Sequence, residues 1–320
     1  MAAGSTKVVL AAMLANGAIA VLKFVGFLLT GSPSMLAETY HSISDTGNQV
    51  LLLVGIFYSR RSVSRVHPFG YGKAQFFYAF LVSVMLFGVA GWESLNHGIE
   101  ELQAGGHPFE AGEAELFGFT VDIDLPVEPY WVAVAILFGG IVFETYAFWT
   151  ANRELRRQMR AYGWSSYREA FRRTSDLTTL TAFTEDLVAL LGLVLALGGI
   201  TAARVTGDPI YDAVGAIVIG VLLMGFAIAL AIENKRLILG ESLPRPLERE
   251  LAQTIVDHAG VDDVEELRSM FIGTDRVLVT AEVRFEVTGE PHRLDETIDS
   301  LDAALRAVDD RIRLVYIEPA

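Results

Sequence analysis

No cysteine occurs in the chain, which excludes disulfides, thiolate metal sites and cysteine nucleophiles together and says nothing about compartment. Basic residues are few: 25 Lys and Arg stand against 39 Asp and Glu, for a net charge of −14, which argues against nucleic acid as a partner. HExxH is absent, so an intramembrane zinc protease has no support. The one Glu38-x-x-His41 has no second copy, so a di-iron helix pair has none either. Polar side chains are missing altogether from residues 213 to 232, AVGAIVIGVLLMGFAIALAI. At about 1.5 Å per residue that run crosses a ~30 Å hydrocarbon core, which suits a transmembrane helix better than a buried soluble one.

What is present is strongly segregated, with 52% of residues hydrophobic and 20% charged. Further apolar runs at residues 8–29, 34–58, 76–92, 131–149 and 181–203 bring the expected number of spans to six. The connector 59–73 holds Arg60, Arg61, Arg65 and Lys73 without an acid, and 151–175 holds Arg153, Arg156, Arg157, Arg160, Arg168, Arg172 and Arg173. Between them, residues 96–129 hold Glu100, Glu101, Glu110, Glu113, Glu115, Asp122, Asp124 and Glu128 without a Lys or Arg, while Lys235 and Arg236 follow the last span. Basic connectors stay inside, so an integral protein of the cell (inner) membrane with both termini cytoplasmic is expected. The first run is longer than a signal-peptide core of ~7–15 residues and is read as a retained helix. Lys23 within it either snorkels to an interface or packs inside the bundle, and is given no functional weight.

Near Gly240 the composition changes, setting an expected boundary between a transmembrane domain, 1–239, and a soluble cytoplasmic domain, 240–320. Pro246 fits a helix start, with Leu247, Leu251, Ile255 and Ala259 at helical spacing. Val277, Val279, Ala281, Val283, Phe285 and Val287 alternate with mostly polar residues, the pattern of a half-buried strand. VEELRSMFIG reads as its hairpin partner across Gly273, Thr274 and Asp275. A helix over 294–308 and a short strand, IRLVYI, complete an αββαβ order, which suits helices on one face of a sheet.

The second run carries AETYHSISDTGNQ, residues 37–49. Glu38, His41, Asp45 and Asn48 follow i, i+3, i+7, i+10 spacing and share one helical face. Ionisable groups at bilayer depth cost about 2.5–3.5 kcal/mol each on insertion scales, so they persist mainly where they face a cavity or a partner. His41 and Asp45 are one turn apart, close enough to hold one cation together, and the fifth run supplies Glu185 and Asp186. Imidazole nitrogen with carboxylate oxygens in a tetrahedral set suits Zn²⁺, with Mn²⁺, Co²⁺ or Fe²⁺ tolerated. The plainer reading makes the His an interhelical hydrogen bonder and the Asp a partner of a Lys. It has to account for four polar groups on one span and two acids on another, of which Lys23 neutralises only one.

HSISDTGNQ in the second run, HPFGYGKAQFF entering the third, TEDLVALLGL in the fifth, DPIYDAVGAIVIGVLL in the sixth and LGES opening the tail together resemble the cation diffusion facilitators. The resemblance covers nearly the whole chain. It implies a mainly α membrane protein with a six-helix transmembrane bundle and a C-terminal cytoplasmic ferredoxin-like α+β domain, working as a homodimeric zinc/proton antiporter. It also implies that His41 and Asp45 are transport-site ligands joined by fifth-span acids. The common family pattern has a His/Asp-x-x-x-Asp pair there, whereas Ala182 stands four before Asp186 and the usual positions fall near Thr178 and Ala182. Glu185, Asp186 or both are therefore the ligands, as in a branch with a Glu-Asp pair. Glu38 and Asn48 stand as supporting groups.

His67 resembles a family position for an accessory metal, but the usual second His is Tyr71, and Pro68, Gly70 and Gly72 suit a plain turn. His258 and His292 are solvated positions or regulatory ligands between subunits, and Glu144 lines the cavity or reaches an interface. Asp208 and Asp212 read as a cap before the sixth helix, with Pro209 at its first turn. The expected activity is efflux of a divalent cation against protons, because ligands must be deprotonated to bind metal and an imidazole titrates near neutrality. A membrane-embedded metal sensor without flux, a carrier of monovalent or organic cations and a purely structural subunit are the competing classes.

Overall fold

In hydrocarbon a chain must close its own backbone hydrogen bonds, and a helix does so within one segment. The computed structural model describes residues 2–105, 113–116, 119–122, 128–167, 169–170, 177–286 and 291–320. Each apolar run becomes helix: α1 Ala2–Thr30, α2 Pro33–Ser59, α3 Ala74–Met85, a π-helical segment Leu86–Gly91 leading into α4 Trp92–Gln103, α5 Pro129–Tyr162, α6 Leu177–Thr206 and α7 Ile210–Leu239. Four stretches among the described residues are long and apolar enough to cross a membrane: Ala74–Gln103, Pro129–Ala161, Phe183–Thr206 and Ile210–Leu239. In α1 the apolar stretch with described side chains runs from Asn16 to Thr30, and α2 is the helix that carries the polar stripe.

Helix boundaries outrun the apolar runs. α5 continues to Tyr162, so the first half of the Arg-rich connector is helical, since arginine is a good helix former. The π-helical segment in the third run was not expected. Within the acidic loop, β1 Glu113–Leu116 and β2 Phe119–Asp122 pair antiparallel. Its Glu110 and Asp124 lie outside the described residues, as do Arg168, Arg172 and Arg173 of the basic connector.

Backbone contacts gather into two compact units, the first comprising residues 1–53 and 81–231. Its core draws Phe27 from α1, Met35 from α2, Leu86 from the π-helical segment, Leu137 from α5, Leu193 from α6 and Leu223 from α7. Lipid tails are as apolar as leucine, so such helices are held by close van der Waals packing rather than by the hydrophobic effect. At the α4–α7 contact, a Cβ on Gly220 would come within 2.7 Å of the Leu95 nitrogen and 2.9 Å of the Gly91 oxygen. Asp208 caps α7 by accepting the Ile210 N–H at 3.0 Å. Asp212 does not cap: it is buried and accepts the Ser34 hydroxyl at the start of α2.

The second unit comprises residues 54–80 and 232–320. It contains α8 Arg245–Val256, β3 Val261–Gly273, β4 Arg276–Phe285, α9 Pro291–Val308 and β5 Ile312–Pro319, in the αββαβ order read from the sequence. The sheet order is β3-β4-β5, with β3 antiparallel and β5 parallel to the central β4. The hairpin turns at Thr274 and Asp275, between the paired Gly273 and Arg276. A parallel neighbour needs a crossover, and α9 supplies it. Val277, Val279, Ala281 and Val283 are buried, as the alternation required, each valine worth about 1.5–3 kcal/mol as a fully buried side chain. Val287 lies outside the described residues. Leu251 and Ile255 of α8 and Leu301 and Leu305 of α9 are buried, and the two helices pack on each other as well as on the sheet. Ala259 falls beyond the end of α8 and is exposed.

Candidate metal site

On α2 the stripe is inward-facing at one end and partly open at the other. Glu38 and His41 are 0% and 2% exposed, whereas the Asp45 side chain is 19% exposed. His41 Nε2 stands 3.5 Å from Asp45 Oδ2. Among the described residues, neither ring nitrogen of His41 has a hydrogen-bond partner. Two ligands of one tetrahedral Zn²⁺ with ~2.0–2.1 Å bonds sit about 3.3 Å apart, so this spacing fits a shared ion better than a hydrogen bond.

Helix α6 meets this stripe directly. Asn48 Nδ2 donates to Glu185 Oε1 at 3.4 Å, and Gly192, two turns along α6, lies where a Cβ would overlap Glu38 Oε1. Asp186 and Glu185 each lie within Coulombic range of Asp45 and of each other. A third helix adds Glu144, half-buried on α5 and in Coulombic range of Asp45, Asp186, Glu38 and Lys23. His41, Asp45, Glu185 and Asp186 are thus gathered in one part of the first unit, with Asn48 bridging the helices. Among the described residues, no group of three His, Cys, Asp or Glu side chains is already closed to metal-binding geometry.

Lys23 packs inside rather than snorkelling: its ammonium donates to Glu38 Oε2 at 2.7 Å, with both side chains buried. Spacing along α2 gave no sign of this pair; the only signal was one lysine in an apolar run facing a surplus of acids. Side chains of Thr178 and Ala182 lie outside the described ones, as does that of His292.

The other histidines occupy different settings. His67 is exposed on the connector, with its ring 4.3 Å from that of Tyr71. Its backbone closes a turn with Ser64 and accepts from the Gly70 N–H at 3.0 Å, where Gly70 takes a φ of 83°. His258 Nε2 lies 2.8 Å from the Ser300 hydroxyl at the surface of the second unit.

Comparison with known proteins bears on this site. A sequence model described as the cation efflux transmembrane domain matches residues 9–239. The mitochondrial proton-coupled zinc antiporter SLC30A9 of Homo sapiens is 30% identical over 283 residues, which is 88% of this chain and 46% of that protein. Metal tolerance protein C4 of Arabidopsis thaliana is 27% identical over 282 residues, 88% of this chain and 57% of that one. The cation-efflux pump FieF of Pectobacterium atrosepticum is 25% identical over 294 residues, 89% of this chain and 83% of the pump. The chain therefore spans about half the length of the zinc antiporter it matches.

Proposed function

This chain belongs to the cation efflux family, a family of integral membrane transporters and not of enzymes, and from that premise we propose that it expels a divalent metal cation, foremost Zn²⁺, in exchange for protons. The observation that carries the reading is His41: a buried imidazole with neither nitrogen hydrogen-bonded among the described residues, 3.5 Å from the Asp45 carboxylate. Leaving a buried polar group unsatisfied costs about 1–3 kcal/mol, which a bound cation would recover.

His41 and Asp45 are the ligands from α2, and Asp186 and Glu185 those from α6. Asn48 holds Glu185 towards the site, and Glu38 supports the set from one turn away. His67 serves the connector turn. Zn²⁺ leads because one imidazole with carboxylates is borderline in softness; Mn²⁺, Co²⁺ and Fe²⁺ tolerate the same donors. A ligand must lose its proton to bind metal, so loading releases protons and protons arriving on the far side unload the ion. Alternation between inward-open and outward-open states follows when each ion favours a different state. Six spans over 1–239, a cytoplasmic ferredoxin-like domain over 240–320, cytoplasmic termini and a homodimer complete the proposal, supported by the charge alternation and by the family to which the chain belongs.

The test is zinc flux in proteoliposomes under an imposed proton gradient. Wild-type protein is expected to couple Zn²⁺ movement to a pH change. Asp45→Ala should abolish both flux and coupling, and should weaken Zn²⁺ binding by more than the ~10–100-fold typical of outer-shell changes. Coupled flux surviving in Asp45→Ala would refute the assignment, and binding without flux in the wild type would favour the sensor reading.

A further inference from the structure

Lys23 and Glu38 are charged groups beside the site whose pairing the transport cycle above does not explain. The ammonium binds Glu38 Oε2 at 2.7 Å, but Oε1 of the same carboxylate is buried, against Gly192, without a hydrogen-bond partner among the described residues. A pair that served only to join α1 to α2 would be expected to satisfy both oxygens, because an orphaned buried acceptor carries its full desolvation cost. The free oxygen also lies on the ligand face, since Glu38 precedes His41 by one turn. Lys23 is within Coulombic range of His41, Asp45 and Glu144 in addition to its partner.

We propose that Glu38 is a second station for the divalent cation, one helical turn from the His41–Asp45 position, and that Lys23 is a tethered cation holding that station until the ion arrives. Resting on the transport reading above, this assigns the pair a part in moving the cargo. When the ion steps from Asp45 to Glu38 it displaces the ammonium, whose flexible four-carbon stem lets it turn to the carboxylates left behind. Charge is exchanged rather than created, so the step avoids the cost of an unpaired buried ion. While paired with Glu38, the fixed positive charge also lowers affinity at the first position and so favours release.

Zn²⁺ titration and stopped-flow Zn²⁺ release on the purified full chain test this, with the melting temperature of the metal-free protein followed in parallel. Lys23→Met frees a carboxylate and removes a competing charge, so affinity should rise about tenfold or more. Glu38→Gln leaves an unpartnered ammonium beside the site, so affinity should fall about tenfold or more. Lys23→Arg should stay near wild type. Should either single variant fail to fold, the neutral double variant Lys23→Met/Glu38→Gln is expected to bind Zn²⁺ within about threefold of wild type but release it at least tenfold more slowly, having lost the second station. Shifts of the same sign in the two single variants that track the melting temperature, or unchanged release in the double variant, overturn the proposal. Asp45→Ala separates this from the underlying reading: if it still binds Zn²⁺, the site assignment itself fails, whereas loss of binding there combined with purely structural behaviour of the pair removes only the second station.

Discussion

At Gly192 a missing side chain gives Glu38 its place. A Cβ there would overlap Glu38 Oε1, and Glu38 is not free to swing aside because Lys23 holds its other oxygen at 2.7 Å. Gly192→Ala should therefore cost about 1–3 kcal/mol as an overpacked site. It should also change Zn²⁺ affinity in the same experiment; a melting curve and affinity identical to wild type would show that the carboxylate yields without effect. Spacing on α2 identified Glu38, His41, Asp45 and Asn48 as one face, because i, i+3 and i+4 relations follow from helix geometry alone. It could not say that Lys23 belongs opposite Glu38, or that Asp212 leaves the cap of α7 for Ser34, since both depend on how separate helices are rotated against each other.

Among the elements, α7 offers a paired comparison. Gly220 sits at the α4 contact with backbone 2.7 Å from a would-be Cβ, whereas a Cβ on Gly225 of the same helix would meet nothing within 4 Å. Gly220→Leu should push α4 and α7 apart and lower the melting temperature clearly, by a loss of the overpacking size of about 1–3 kcal/mol. Gly225→Leu should stay within about 0.5 kcal/mol, as for a surface change. Equal effects in a detergent melt would show that small residues do not set this contact. Strand β4 was legible residue by residue from Val277 to Val283, because a period of two leaves no choice of face. The continuation of α5 to Tyr162 was not: the apolar run ends near residue 149, and helix propensity carries the chain on through arginines that hydropathy assigns to a connector.

For the molecule as a whole, the absence of cysteine makes topology directly measurable. Ser62→Cys in the basic connector and Gln103→Cys at the edge of the acidic loop both introduce a thiol at an exposed position. A membrane-impermeant maleimide applied to intact cells should label Gln103→Cys, and should label Ser62→Cys only after permeabilisation. The reverse pattern would invert the proposed orientation, and with it the proposed direction of metal movement.

By itself the sequence determined that the chain builds long apolar helices followed by an αββαβ unit, and which polar residues share a face of α2. Each of these rests on a local period or a count of charges, quantities carried by neighbours along the chain. Tertiary structure decided which acids stand near His41 and Asp45, that Asn48 meets Glu185, and that a lysine from another helix holds Glu38. Those pairings join residues 15 to 141 positions apart, from Lys23–Glu38 to Asp45–Asp186, and depend on the rotation and closeness of packed helices, for which no single segment carries a code.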